Sequence, residues 1–133
     1  MVYVFLADGF EEVEAVAPID VLRRGGVDVI TVGVGQKCVT GTHGISVNCD
    51  ITIDNASFCG LQGIILPGGM PGTVNLEKCD KVQEFIDYCI KENLIIGAIC
   101  AAPSILGHKG LLRGKKAVCF NGFEKELAGA DVL

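Results

Sequence analysis

Short, strongly apolar runs alternate along the chain with stretches that carry apolar residues at helical spacing. "VYVFLA" (2–7) predicts a buried strand, and "DGFEEVEAVAPIDVLRRGG" (8–26) a loop leading into a helix. That helix has acids in its first turn, Arg23 and Arg24 in its last, and glycines after them, as end chemistry and the helix dipole favour. Pro18 lies inside it and predicts a kink or a locally irregular turn. "VDVITVGVG" (27–35) is the next strand and completes a βαβ unit. "CVTGTHGISVNCDITI" (38–53) alternates and carries glycines, which predicts a hairpin or a pair of short edge strands. "GIILPGG" (63–69) is a buried strand running into a turn, "CDKVQEFIDYCIKEN" (79–93) an amphipathic helix, and "LIIGAI" (94–99) a strand. "AAPSILGHKG" predicts a short helix, "KAVCF" (116–120) a further strand, and "FEKELAGA" a last helical turn or two.

This order predicts an α/β fold: a flavodoxin-like, doubly wound, mostly parallel sheet sandwiched by helices. Its 133 residues suit one domain, 1–133, and no linker or repeat divides them. A mean hydropathy of +0.47 fits either a membrane segment or a sheet buried on both faces. No run approaches the roughly 18 apolar residues that a membrane helix needs, so the buried sheet is the better reading. The opening residues turn acidic at Asp8 and carry no basic leader, unlike a signal peptide. Net charge is −5, with basic residues scattered, which gives neither a nucleic-acid footprint nor a membrane-binding face. Seven cysteines include no C-x-x-C pair, so no metal site is expected; their odd number fits free thiols in a reducing cytoplasm.

In doubly wound sheets, sites form beyond the carboxyl ends of strands. Three segments fall there: Asp8 to Glu14, Pro67 to Gly72 and Cys100 to Pro103. Cys100 ends an apolar run and is followed at once by Ala-Ala-Pro. One reading is a packed core cysteine, which suits the other six. The other is a strained strand-to-helix elbow that displays the thiol. Small neighbours at Gly97, Ala101 and Ala102 fit such a turn, and Pro103 suits a first helical turn. The thiol would then face a helix N-terminus, which lowers its pKa, and the Ala101 N–H would be free for a developing oxyanion.

Phe10, Val13, Ala17 and Val21 form a stripe at spacings of three and four, and Glu14 lies on it. A core-facing carboxyl must be protonated or paired, and a neutral acid beside a thiolate can move protons. The competing reading is a solvated first-turn acid, which accounts fully for Glu11 and Glu12. "LPGGM" (66–70) is either an ordinary tight turn or a nest of N–H groups.

Together "FLADGFEEVEAVAPIDVLRRGG", "IILPGGMPG" and "IIGAICAAPSIL" resemble the ThiJ/PfpI superfamily, specifically its DJ-one branch, over essentially the whole chain. The resemblance implies a flavodoxin-like fold of the class I glutamine amidotransferase type and a homodimer. It implies Cys100 as nucleophile, Glu14 as its protonated partner, and oxyanion-binding N–H groups from Gly69 and Ala101. No cofactor is implied. Family activities include glyoxalase and deglycase chemistry on small reactive carbonyls; redox sensing and chaperoning through cysteine oxidation are the alternative. Ala101 stands where the peptidase branch has histidine, which argues against a protease. Phe120 stands where some relatives have a histidine after the elbow. His43 aligns with an arginine that many members send across the dimer interface, or is a surface loop histidine. Arg24 matches another interface arginine, or is a helix-end cation. His108 reads as helix-end surface. Family members also continue past "AGADVL" with a further strand and a closing helix, so this chain is expected to leave apolar surface uncovered.

Overall fold

The computed structural model describes residues 1–133. Strand β1 (Val2–Leu6) leads to helix α1 (Glu12–Arg24) and strand β2 (Val29–Gly33). A hairpin of β3 (Cys38–Thr40) and β4 (Ser46–Asn48) follows, antiparallel as the alternation predicts, then the short β5 (Ile51–Thr52). Next come β6 (Gly63–Leu66), α2 (Gly72–Glu77), α3 (Asp80–Lys91), β7 (Ile95–Ala98) and α4 (Pro103–His108). Two short strands, β8 (Lys116–Ala117) and β9 (Asp131–Val132), end the chain around a 3-10 turn at Glu124–Glu126.

The main sheet has the order β5-β2-β1-β6-β7, and every neighbouring pair in it is parallel. Parallel strands need crossovers, and α1 and α3 supply covers for opposite faces. Alternation along β1 divides the core. Tyr3 and Phe5 point into one cluster with Ile64, Phe85, Ile86 and Ile105; Val4 and Leu6 point into another with Phe10, Ala15 and Val39. The first cluster is aromatic at its centre: Phe85 packs against Tyr3, Phe5 and Phe58 at ring separations of 5.6, 5.3 and 4.6 Å. No helix is long and apolar enough to cross a membrane.

Several expectations need correction. The stripe on α1 does not face the core: Val13 is 67% exposed, Val21 is exposed too, and the buried positions are Glu12 and Ala15. Apolar residues occupy two sides of this helix, and the sheet can take only one. Glu12 is therefore not a solvated acid. It is buried because its carboxylate accepts the N–H groups of His43 at 2.7 Å and Ile45 at 3.4 Å, closing the β3–β4 hairpin against α1. Residues 116–120 do not extend the main sheet; only Lys116–Ala117 is strand, paired with β9 in a separate two-stranded ribbon. In addition, α2 rises directly from the Pro-Gly-Gly turn, over residues where the sequence predicted no element. Through Pro18, α1 continues as one helix. Because β7 is a sheet edge, Ile95 is 75% exposed there.

Phe85→Ala should lower the unfolding free energy by about 3–5 kcal/mol, because three aromatic partners lose their common neighbour. Chemical denaturation of both proteins measures it, and a loss under about 1 kcal/mol would contradict this account of the core.

Candidate active site

Three strand ends converge at the carboxyl edge of the sheet: the β1–α1 loop, the β6–α2 turn and the β7–α4 turn. At the last of these Cys100 has φ +62°, a left-handed conformation costly for a non-glycine residue, on the order of 1–3 kcal/mol. The turn is held from both sides. Ile99 N–H donates to Leu66 O at 3.3 Å, Ala102 N–H to Ile99 O at 3.0 Å, and Phe120 N–H to Cys100 O at 2.8 Å. Ala101 and Ala102 are buried beneath it, so larger side chains there would have no room. Cys100 is thus an elbow residue and not a packed core cysteine; the core thiols are Cys49 and Cys89, whose burial pushes each up to about 11.

Glu14 lies across the Gly68 backbone from Cys100. Its Oε2 accepts the Gly68 N–H at 2.8 Å. A Cβ on Gly68 would fall 2.6 Å from that oxygen and 2.7 Å from Cys100 Cβ, so only glycine lets the acid and the elbow come this close. The Glu14 carboxyl and the N–H groups of Gly69 and Ala101 all lie near enough to the thiol to act on its ionisation. Gly69 itself has φ +90°, which glycine alone adopts without strain. The structure therefore brings together Cys100, Glu14, Gly69 and Ala101.

Their electrostatics differ from expectation. The Cys100 thiol is pushed above its ordinary value, not below it. Partial burial is the main cause, followed by the hydrogen bond and negative charge of Glu14; the two N–H donors oppose this without overcoming it. The helix end that was expected to dominate belongs to α4, which is only 6 residues long.

Arg24 and His43 stand apart from this group within the chain. Arg24 ends α1 and pairs with Asp20 at 2.9 Å, ten residues and so about 15 Å along the helix from Glu14. His43 Nδ1 lies 3.0 Å from Glu12 and 3.4 Å from Glu11. The Glu12 hydrogen bond and the Glu11 charge raise the His43 pKa. Burial works against ionisation of Glu12, yet the His43 ring and the hairpin amides outweigh it and bring its pKa down to about 2. Glu11, Glu12 and His43 place ligand-type atoms within 4.8 Å of one another, but the Glu12 oxygens are already engaged by the hairpin. An apolar groove of about 500 Å³ opens beside Glu14, lined by Val13, Ala17, Pro18, Ile65 and Ile99.

Residues 1–133 match the model of the DJ-1/PfpI family. Protein DJ-1 homolog B of Arabidopsis thaliana is 39% identical over 125 residues, 92% of this chain and 28% of that protein. A deglycase of Pyrococcus abyssi is 30% identical over 132 residues, 98% of this chain and 78% of that protein. The chain thus spans under a third of the plant relative and over three quarters of the archaeal one. Among solved structures, a DJ-1 superfamily protein from Salmonella typhimurium superposes with a TM-score of 0.93 at 32% identity, covering 99% of this chain and 72% of that one. A parallel sheet in this order, an elbow cysteine and a whole-chain family match agree: the chain belongs to the DJ-1/PfpI family.

Proposed function

We propose that this protein acts on small reactive carbonyls, in the manner of a glyoxalase or deglycase, with Cys100 as nucleophile and Glu14 as its proton-transfer partner. The observation that carries this reading is the Cys100 elbow at φ +62°, with the Glu14 carboxyl held on the Gly68 N–H and only the bare Gly68 backbone between acid and cysteine. The Pyrococcus relative, named a deglycase, supports the substrate class.

A negative Glu14 disfavours a thiolate, but a proton on Glu14 reverses the effect, because its O–H then donates to sulfur. The reactive form is therefore a pair that holds one proton, carried by the carboxyl. With a 2-oxoaldehyde, the sulfur lone pair forms an S–C bond to the aldehyde carbon and the C=O π pair moves onto oxygen. The Gly69 and Ala101 N–H groups are suited to stabilise that oxygen, and Glu14 gives it a proton, leaving a hemithioacetal. The Glu14 carboxylate then takes the proton on the sulfur-bearing carbon and returns it to the neighbouring carbon, while the hemithioacetal hydroxyl proton passes to the former ketone oxygen and the C=O forms at the sulfur-bearing carbon. One carbon is oxidised and the other reduced, so no external oxidant is needed. Water cleaves the resulting thioester, releasing a hydroxy acid and the free thiol. The exposed valine face of α1, Val13, Val16 and Val21, supports a homodimer as the working form.

Methylglyoxal should be converted to lactate, and Cys100→Ala should reduce turnover by about 10³-fold or more while Cys89→Ala leaves it intact. Equal turnover by Cys100→Ala and the parent would end the proposal. Selective gain of two oxygens at Cys100 under mild peroxide, with no carbonyl turnover, would reassign the thiol to redox sensing. Glu14→Gln should separate two properties: alkylation of Cys100 should begin at lower pH, because the negative neighbour is gone, while turnover falls about 10²–10⁴-fold for want of a proton carrier. Alkylation shifted to higher pH would show that Glu14 does not oppose the thiolate. Sedimentation velocity should return the mass of a dimer, and a monomer at all concentrations would remove that part of the reading.

A further inference from the structure

His108, expected to be helix-end surface, is held by carboxylates at both ring nitrogens. Nδ1 meets Glu77, the last residue of α2, and Nε2 meets Glu126 Oε2 at 2.7 Å from the 3-10 turn near the chain's end. A neutral imidazole has one N–H and cannot donate to both, so this arrangement requires the imidazolium. Lys109, next in sequence, is drawn away to Asp87 on α3 at 2.8 Å. The charges facing the ring are those of Glu77 and Glu126.

The position of this clasp matters because of what the two helices carry at their other ends. α2 and α4 are each 6 residues, about 9 Å long. α2 begins just after Gly69, and α4 just after Ala101. In each first turn a buried hydroxyl ties the helix back to the donor residue. Thr73 Oγ1 donates to Gly69 O at 2.9 Å, and Ser104 Oγ donates to Ala101 O at 2.7 Å. Behind them, Leu76 and Ile105 are fully buried in the same core cluster. The third partner is also closely seated, because a Cβ on Gly107 would lie 2.0 Å from Glu126 O.

We propose that His108 is a positioning residue for the Cys100 site: as a cation it ties the far ends of α2 and α4, and so holds the Gly69 and Ala101 N–H groups in register on the sulfur. The inference rests on the role proposed above for those two groups. Hydrogen bonds to Glu126 and Glu77 raise the His108 pKa. The clasp is therefore complete below the ordinary imidazole midpoint of about 6.5 and is lost as pH rises through the higher folded-state midpoint.

Two measurements on the full chain test it. NMR titration of the His108 ring should give a midpoint above about 6.5, with both nitrogens protonated near pH 6; a midpoint at or below that value overturns the clasp. Alkylation of Cys100 by iodoacetamide, followed on its peptide by mass spectrometry, should be about threefold slower in His108→Gln than in the parent near pH 6. The two rates should converge near pH 9, where the parent's clasp is also neutral. A ratio constant across pH would mean a merely structural contact and would overturn the positioning role. Should His108→Gln not fold, Glu126→Gln keeps the Glu77 contact and must lower the ring midpoint; an unchanged midpoint counts against the clasp. If Cys100→Ala turns over methylglyoxal as fast as the parent, the carbonyl reading falls, while the ring titration still decides the clasp.

Discussion

The Gly68 peptide joins the three strand ends on which the site depends. Its N–H reaches Glu14 Oε2 at 2.8 Å, and its carbonyl takes the Glu11 N–H at 2.9 Å, so the start of α1 is bonded to the β6–α2 turn on both sides of one residue. The same residue abuts Cys100, whose Cβ would collide with any side chain placed there. A close approach of acid and thiol therefore requires bare backbone between them. Any larger residue at 68 would drive α1 away from the elbow and part the pair.

That proximity sets up an opposition at the thiol. The fold holds Cys100 at a positive φ over buried alanines, brings the Gly69 and Ala101 N–H groups near its sulfur, and then adds partial burial and a carboxyl that together raise the thiol's pKa. Donors and acid act against each other, and one proton decides the balance. A lone thiolate at a helix end would be permanently nucleophilic and open to oxidation. In the mechanism proposed above, the thiol is activated only when the neighbouring acid carries the proton. The surrounding layers make this geometry stiff: Phe85 and its aromatic neighbours on one face and Phe10 with Ala15 on the other anchor the elements that end at the site.

The elbow could be read in the chain because its causes are local. An apolar run, a cysteine, small residues and a proline in the first helical turn leave few other backbone paths. Glu14 was harder, because periodicity assigned it to a stripe that turns out to face outward. Its place beside the elbow has a different cause: it sits at the margin between the buried and open faces of α1, where a backbone N–H can reach it. Glu12, read as solvated, is the buried acid of that helix, since its partners come from a hairpin some 30 residues on. His108 is exposed at the end of α4, as expected, but its two carboxylates lie 31 and 18 residues away in the chain. Short-range pattern carries no information about such pairings.

By itself the order of apolar runs, turns and helix signals determined the parallel α/β plan, the strand ends that could carry a site and the cysteine displayed there. Hydrophobic periodicity and backbone sterics act within a few residues, so a linear sequence records them directly. Only the tertiary structure decided which face of α1 is buried, which carboxylates find donors, and the direction in which the Cys100 pKa moves. Those outcomes depend on distances between groups far apart in the chain. Electrostatic and hydrogen-bond energies are set by such distances and by burial, which exist only once the sheet has assembled.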